Sequence, residues 1–142
     1  MRSLTFLLGI ALVLSGCQTA EDGLANTPTT TASGPAASAI AGDLSSRLAE
    51  QVPPAATTLR LKSDRSEFAI ALEAALKGWG YSVITDPAAK ADKAVELAYS
   101  IQGADGQLMA QVSTPSIALG RVYLASATGA TPASPLSIMH KN

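Results

Sequence analysis

Apolar positions fall into distinct periods along the chain. Leu4 to Leu14 is a continuous apolar run behind Met1-Arg2-Ser3. It is too short for a spanning helix of about 20 residues and has the anatomy of a signal-peptide core. Ile40, Leu44, Leu48 and Val52 then recur every four residues, which predicts a helix over 39–52 that Pro53-Pro54 ends. Leu59 and Leu61 alternate with Arg60 and Lys62, predicting a strand over 57–62 with one buried side. Phe68, Leu72, Leu76 and Trp79, with Ile70, Ala71 and Ala75 beside them, form the stripe of a second helix. Asp64 is the expected cap with Glu67 completing a capping box, and Gly78 or Gly80 the left-handed C-cap. A strand over 81–85 follows, giving a strand-helix-strand unit whose crossover returns to a parallel strand.

The second half reads as β-structure. Val95, Leu97, Tyr99 and Ile101 share one face, as do Leu108, Ala110 and Val112. A four-residue turn over 103–106 sets Ile101 opposite Leu108 and Tyr99 opposite Ala110 in an antiparallel hairpin. A further strand covers 117–125, apolar on both faces except for Arg121. The expected fold is a small single-domain α+β protein: a strand-helix-strand unit, an antiparallel hairpin and a further strand, with helix packed on sheet. The expected organisation is a leader over 1–16, a flexible tether over 17–39, a domain over 40–126 and a loose tail over 127–142. Leu136, Ile138 and Met139 are available for a short edge strand in that tail.

Leu14-Ser15-Gly16-Cys17 ends the leader, and Cys17 is the single cysteine. An aliphatic residue and two small residues before a cysteine form the pattern of a bacterial lipoprotein cleavage site. Cys17 then becomes the first residue of the mature chain. It carries a diacylglyceryl thioether and an N-palmitoyl group, and membrane lipid is its partner. Each buried methylene contributes about 0.8 kcal/mol, so two or three acyl chains hold a protein firmly without a transmembrane helix. Gln18 follows in place of an Asp that would resemble an inner-membrane retention signal. That favours the outer membrane, with the inner membrane as the alternative and the domain in the periplasm. From Gln18 to Ala39 the chain is rich in Thr, Pro, Ser and Ala with hardly a large apolar side chain, the composition of a spacer.

Composition narrows the function classes. The chain has 142 residues and a net charge of -1, with 10 Lys and Arg against 11 Asp and Glu. No basic patch stands out, which argues against nucleic acid as a partner. His140, the one histidine, lies two residues from the end, so neither a Ser-His-Asp nor a Cys-His arrangement is supported. No metal constellation exists, and no cofactor motif: Gly78-Trp79-Gly80 lacks the length and the Lys-Ser/Thr of a phosphate loop. Glu67 and Glu73 are six apart on a helix and face different ways. No catalytic residue is assigned and no enzyme is expected. Trp79 and Tyr81 are read as core packing, with an interface anchor as the alternative. Arg121 is read as a rim or edge residue, with a carboxylate partner in the domain or on another protein as the alternative.

A lipoprotein leader is followed in order by Asp43-Leu44, Leu48-Ala49, Val52-Pro53-Pro54-Ala55, Thr57-Thr58-Leu59-Arg60-Leu61, Phe68-Ala69-Ile70-Ala71-Leu72 and Gly80-Tyr81-Ser82-Val83. Leu119-Gly120-Arg121-Val122-Tyr123 and Pro132-Ala133-Ser134 stand near the end. This order and spacing resembles the TrbH family of conjugal transfer lipoproteins over nearly the whole chain. The family pattern reads Leu-Ser-Arg before the late Tyr, and this chain has Gly120 before Arg121. The resemblance implies a part in plasmid conjugation, within the mating-pair-formation set of a type IV secretion system, with other conjugal transfer channel proteins as partners. Such a lipid-anchored domain would act as a structural or docking subunit. The competing readings are an accessory envelope lipoprotein acting in surface exclusion and a small-ligand-binding periplasmic lipoprotein.

Overall fold

In a computed structural model of the protein, the described residues are 27–28, 32 and 34–142. The leader over 1–16 and the candidate lipidation residue Cys17 lie outside them. The elements in order are β1 (Thr27–Pro28), α1 (Gly34–Gln51), a 3-10 turn (Pro54–Ala56), β2 (Thr58–Leu61), α2 (Glu67–Gly78) and β3 (Ser82–Ile84). They are followed by β4 (Val95–Ala104), β5 (Gln107–Ser113), β6 (Ile117–Ser126), β7 (Gly129–Pro132) and β8 (Ser137–His140). The strands form a mixed sheet in the order β3-β2-β4-β5-β6-β7, with β1 beside β4 and β8 beside β6. Two helices and one mixed sheet make this the α+β fold that the hydrophobic pattern predicts.

The strand-helix-strand unit forms as expected, with β2 parallel to both β3 and β4. The helices pack on each other; α1 also meets β5, β6 and β7, and α2 meets β3. The four-residue stripe of α1 is spent inside the domain, where Ile40, Leu44 and Leu48 are buried together with Ala36, Ala37 and Ala41. Ala37 and Ala41, with Ala69 of α2, are small members of the same buried cluster. Leu59, Leu61, Leu97, Val112, Leu119 and Tyr123 complete the core from the sheet side. Each fully buried aliphatic side chain contributes about 1.5–3 kcal/mol relative to exposure, and with few aromatic residues such aliphatic contacts dominate.

Five expectations are corrected, each for a local physical reason. Helix α1 begins at Gly34, inside the stretch read as tether. Its first turns bury Ala36 and Ala37, whose small side chains leave no periodic signal. The cap of α2 is Ser66, whose Oγ accepts from Ala69 N at 3.1 Å, while Asp64 accepts from Ser66 N one turn earlier. Trp79 is 52% exposed. Gly80, at φ +100°, turns the chain so that Tyr81 N reaches Leu76 O and Gly80 N reaches Lys77 O. This is a Schellman C-cap, and it sends Tyr81 rather than Trp79 into the core.

The β4–β5 hairpin is shifted by two residues from the expected register, with Ala104 opposite Gln107 and Ile101 opposite Ala110. Its turn is Asp105-Gly106, with φ of 51° and 78°. Two consecutive positive φ values suit the right-handed twist of a hairpin better than a four-residue turn. A shift of two leaves every side chain on its expected face. Finally, the stretch read as a loose tail contains two strands. β7 and β8 lie end to end along β6, and Ala133 N donates to Val122 O between them.

Candidate functional site

The N-terminal segment is fastened to the domain before α1 begins. Thr27 and Pro28 run parallel to Ser100 and Ile101 of β4. Ala32 is buried in the core. Gly34 N, at the start of α1, donates to Glu67 Oε2 at 2.6 Å. Glu67 stands in the first turn of α2, so one carboxylate serves two helix N-termini, where partial positive charge favours it.

A polar strut crosses from α1 to the sheet. Asp43 Oδ2 accepts from Tyr123 Oη at 2.7 Å and from Arg121 Nη1 at 3.0 Å. Arg121 Nε donates to Ser134 O at 2.9 Å, and Val122 N donates to Ser134 Oγ. Strand alternation and register put Arg121 on the helix-covered side, beside Ala110. It is thus an internal tie and not the rim residue expected from its neighbours. Burial, and then Asp43, push the Tyr123 phenol well above its ordinary value.

The other tyrosines also serve internal contacts. Tyr81 Oη donates to Val52 O at 2.6 Å, and burial pushes its pKa up to about 12. Tyr99 Oη lies 3.2 Å from Ser66 Oγ, and its ring meets Phe68 with centroids 5.0 Å apart. Burial, with Asp64 adding to it, raises Tyr99 to about 12. Desolvation opposes ionisation of Asp64, but hydrogen bonds from Ser66 and Tyr99 outweigh it and hold its pKa below the usual value.

The remaining sequence candidates stay apart. His140 sits on β8 and is exposed. Glu67 is held by Gly34 N, and Glu73 pairs with Lys77 at 2.7 Å. Among the described residues no group of three His, Cys, Asp or Glu side chains is placed to hold a metal, and no helix is long and apolar enough to cross a membrane. A cavity of about 320 Å³ opens at the C-terminal ends of β2 and β3, lined by Arg60, Lys62, Asp86 and Glu96 among others. Arg60 there is already engaged, with Glu96 at 3.3 Å and Ala89 O at 3.0 Å. Its charge serves the fold.

The sheet has one face under the helices and one face without them. On the latter, Met109, Leu124 and Met139 are 52%, 48% and 60% exposed. A shallow depression of about 170 Å³ there is lined by Met109, Gln111, Gly120, Arg121, Ser134 and Met139 among others. This face was not singled out as a surface from sequence. The available signal was single large apolar side chains, Met109 in β5 and Val122 and Leu124 in β6, at alternate positions where a solvated face calls for polar ones. Asp43 was missed as the partner of Arg121 because 78 residues separate them.

The chain is similar in sequence to known proteins of one kind. The family model described as conjugal transfer protein TrbH matches residues 19–142. A protein of Sinorhizobium fredii (strain NBRC 101917 / NGR234) described as a probable conjugal transfer protein TrbH is 62% identical over 148 aligned residues, which cover all of both chains. No solved structure matches the chain.

Proposed function

This chain belongs to the TrbH family of conjugal transfer proteins, and on that premise we propose that it is a lipid-anchored docking subunit of the transfer apparatus. Its domain stands in the periplasm, held to the outer membrane by acyl chains on Cys17. There it braces channel components of a mating-pair-formation, type IV secretion assembly. It performs no catalysis of its own.

The observation that carries the reading is the union of family membership with the build of the chain. A leader ending in Leu14-Ser15-Gly16-Cys17 precedes a segment whose Thr27 and Pro28 pair with β4 of the domain. Asp43 and Arg121, two charged residues turned into the domain, are engaged with each other. The exposed apolar side chains Met109, Leu124 and Met139 are suited to packing against another protein.

The test is plasmid transfer from a donor lacking this chain, complemented by wild type or by Cys17→Ala. Loss of transfer that wild type alone restores is the expected result. Full transfer by a Cys17→Ala protein that remains unprocessed and unlipidated would sink the anchor role. Unchanged transfer from the deletion donor would remove the docking role in donation.

A further inference from the structure

We infer that the crevice at the C-terminal ends of β2 and β3 binds a small zwitterion: an α-amino acid group, with ammonium and carboxylate on one carbon. The inference goes beyond the docking role above and does not depend on lipid at Cys17. Its first support is topology. β3, β2 and β4 lie side by side and run parallel. Leu59 and Leu61 of β2 are buried in the core with Phe68, Leu72 and Leu76 of α2. Strand alternation therefore turns Arg60 to the other face. β2 continues into α2, on the core side of the sheet. β3 continues into 85–94, which passes over the face of Arg60, where Arg60 Nη2 donates to Ala89 O at 3.0 Å. Neighbouring parallel strands thus send their chains to opposite faces, and the gap between such exits is where sheets of this kind hold ligands. The cavity there measures about 320 Å³, at the small end of the range of about 300–1,000 Å³ for small-molecule clefts.

The second support is the set of polar groups around the cavity. Arg60 and Lys62 bring two positive charges, Asp86 and Glu96 two negative ones, and Thr85 a hydroxyl. The charges balance. Arg60 and Glu96 stand opposite each other across β2 and β4, with Nε 3.3 Å from Oε1. That is one contact, short of the two-point fork open to this pair. Arg60 Nη1, Glu96 Oε2 and Thr85 Oγ1 have no partner among the described residues. Asp86 Oδ1 accepts from Ala88 N at 2.8 Å, and Oδ2 is unused in the same sense. Positive donors and negative acceptors therefore line one small cavity, with hydrogen-bonding capacity left on both.

This arrangement selects a ligand by charge. A lone anion would meet Asp86 and Glu96, and a lone cation would meet Arg60 and Lys62. A ligand with both charges close together satisfies both sets through charge-assisted hydrogen bonds. Its carboxylate accepts from Arg60 Nη1 and Thr85 Oγ1, and its ammonium donates to Glu96 Oε2 and Asp86 Oδ2. The adjacency of Arg60 and Glu96 calls for opposite charges on neighbouring atoms of the ligand, as in an α-amino acid group. A free amino acid offers that group, and so does the free end of a diamino acid in a cell-wall peptide.

The test is titration calorimetry of the full-length protein in detergent with meso-diaminopimelate, whose two amino acid ends have opposite configurations. Saturable binding is expected. Acetylating both amines, or esterifying both carboxylates, should weaken it about tenfold or more, a loss of about 1.4 kcal/mol. Asp86→Asn keeps the oxygen that Ala88 N uses and removes the charge. Glu96→Gln keeps the oxygen beside Arg60 Nε. Each should weaken binding about tenfold with the melting temperature at its wild-type value. No saturable binding would overturn the proposal. So would equal binding of either capped compound, or wild-type affinity in both variants. Co-sedimentation with purified cell-wall sacculi separates the two sources. Protein that sediments with sacculi and is released by meso-diaminopimelate points to the wall peptide. Binding of the free compound without sedimentation points to free amino acids. None of these readouts requires plasmid transfer, so the result stands apart from that of the transfer test.

Discussion

Asp43 accepts two hydrogen bonds from the sheet, and its loss would leave both donors without their acceptor. Arg121 has a side chain only 17% exposed, and Tyr123 is 1% exposed. An Asp43→Ala variant should therefore lose about 1–3 kcal/mol, the cost of buried polar groups left unsatisfied. Removing both ends of the ion pair should cost less than removing Asp43 alone, because a paired charge replaced by apolar side chains is often close to neutral. Urea denaturation of Asp43→Ala and of the double variant Asp43→Leu/Arg121→Met checks the order. A double variant less stable than the single one would refute the strut. The tyrosines give a second handle at this scale. Tyr81 and Tyr99 have folded pKa values of about 12 against an ordinary value of 10, and Tyr123 lies higher still. The unfolded chain releases these protons first, so stability is fully present below about pH 10 and falls as pH rises through the folded values. Tyrosinate absorbance should show no group titrating at the ordinary value, and the melting temperature should decline only above that pH.

At the scale of elements, what could be read from sequence depended on side-chain size. Leu44, Leu48, Phe68, Leu72 and Leu76 are large enough to mark a helical face, and both helices were legible from them. Ala36 and Ala37 are not, so the first turns of α1 passed for spacer. Alternation at Leu97, Tyr99 and Ile101 located β4 and its buried face but could not distinguish registers two residues apart, since both keep the same face inward. The choice was made by Asp105 and Gly106, whose positive φ values close the shorter turn. The end of the chain was illegible for a related reason. Gly129, Ala130 and Thr131 look like linker, yet backbone pairing to β6 orders them. Ala130 and Leu136 pack on the core, and Ser134 holds both Arg121 and Val122. A chain truncated after Ser126 should consequently lose its cooperative thermal transition and be degraded in cells. A truncated protein with wild-type melting behaviour would show that β7 and β8 are dispensable.

For the whole molecule, the docked start of the domain changes how far it can stand from a membrane. Composition read the spacer as running to Ala39. In the structure Thr27 is already paired to β4 and Ala32 is in the core, so the reach is at most that of the stretch from Cys17 to Thr27. Ten residue steps span at most about 35 Å when fully extended. The anchor role proposed above thus keeps the domain within that distance of the bilayer. In this arrangement length matters and sequence does not. Replacing Thr19–Asn26 by a Gly/Ser segment of equal length, with Gln18 kept, should leave plasmid transfer near the wild-type frequency. Deleting the same residues removes about 26–29 Å of extended reach and should lower transfer at least tenfold without changing the melting temperature. Transfer lost on the equal-length replacement would instead mean that these residues are themselves recognised, and the segment would then have to be treated as a binding element in its own right.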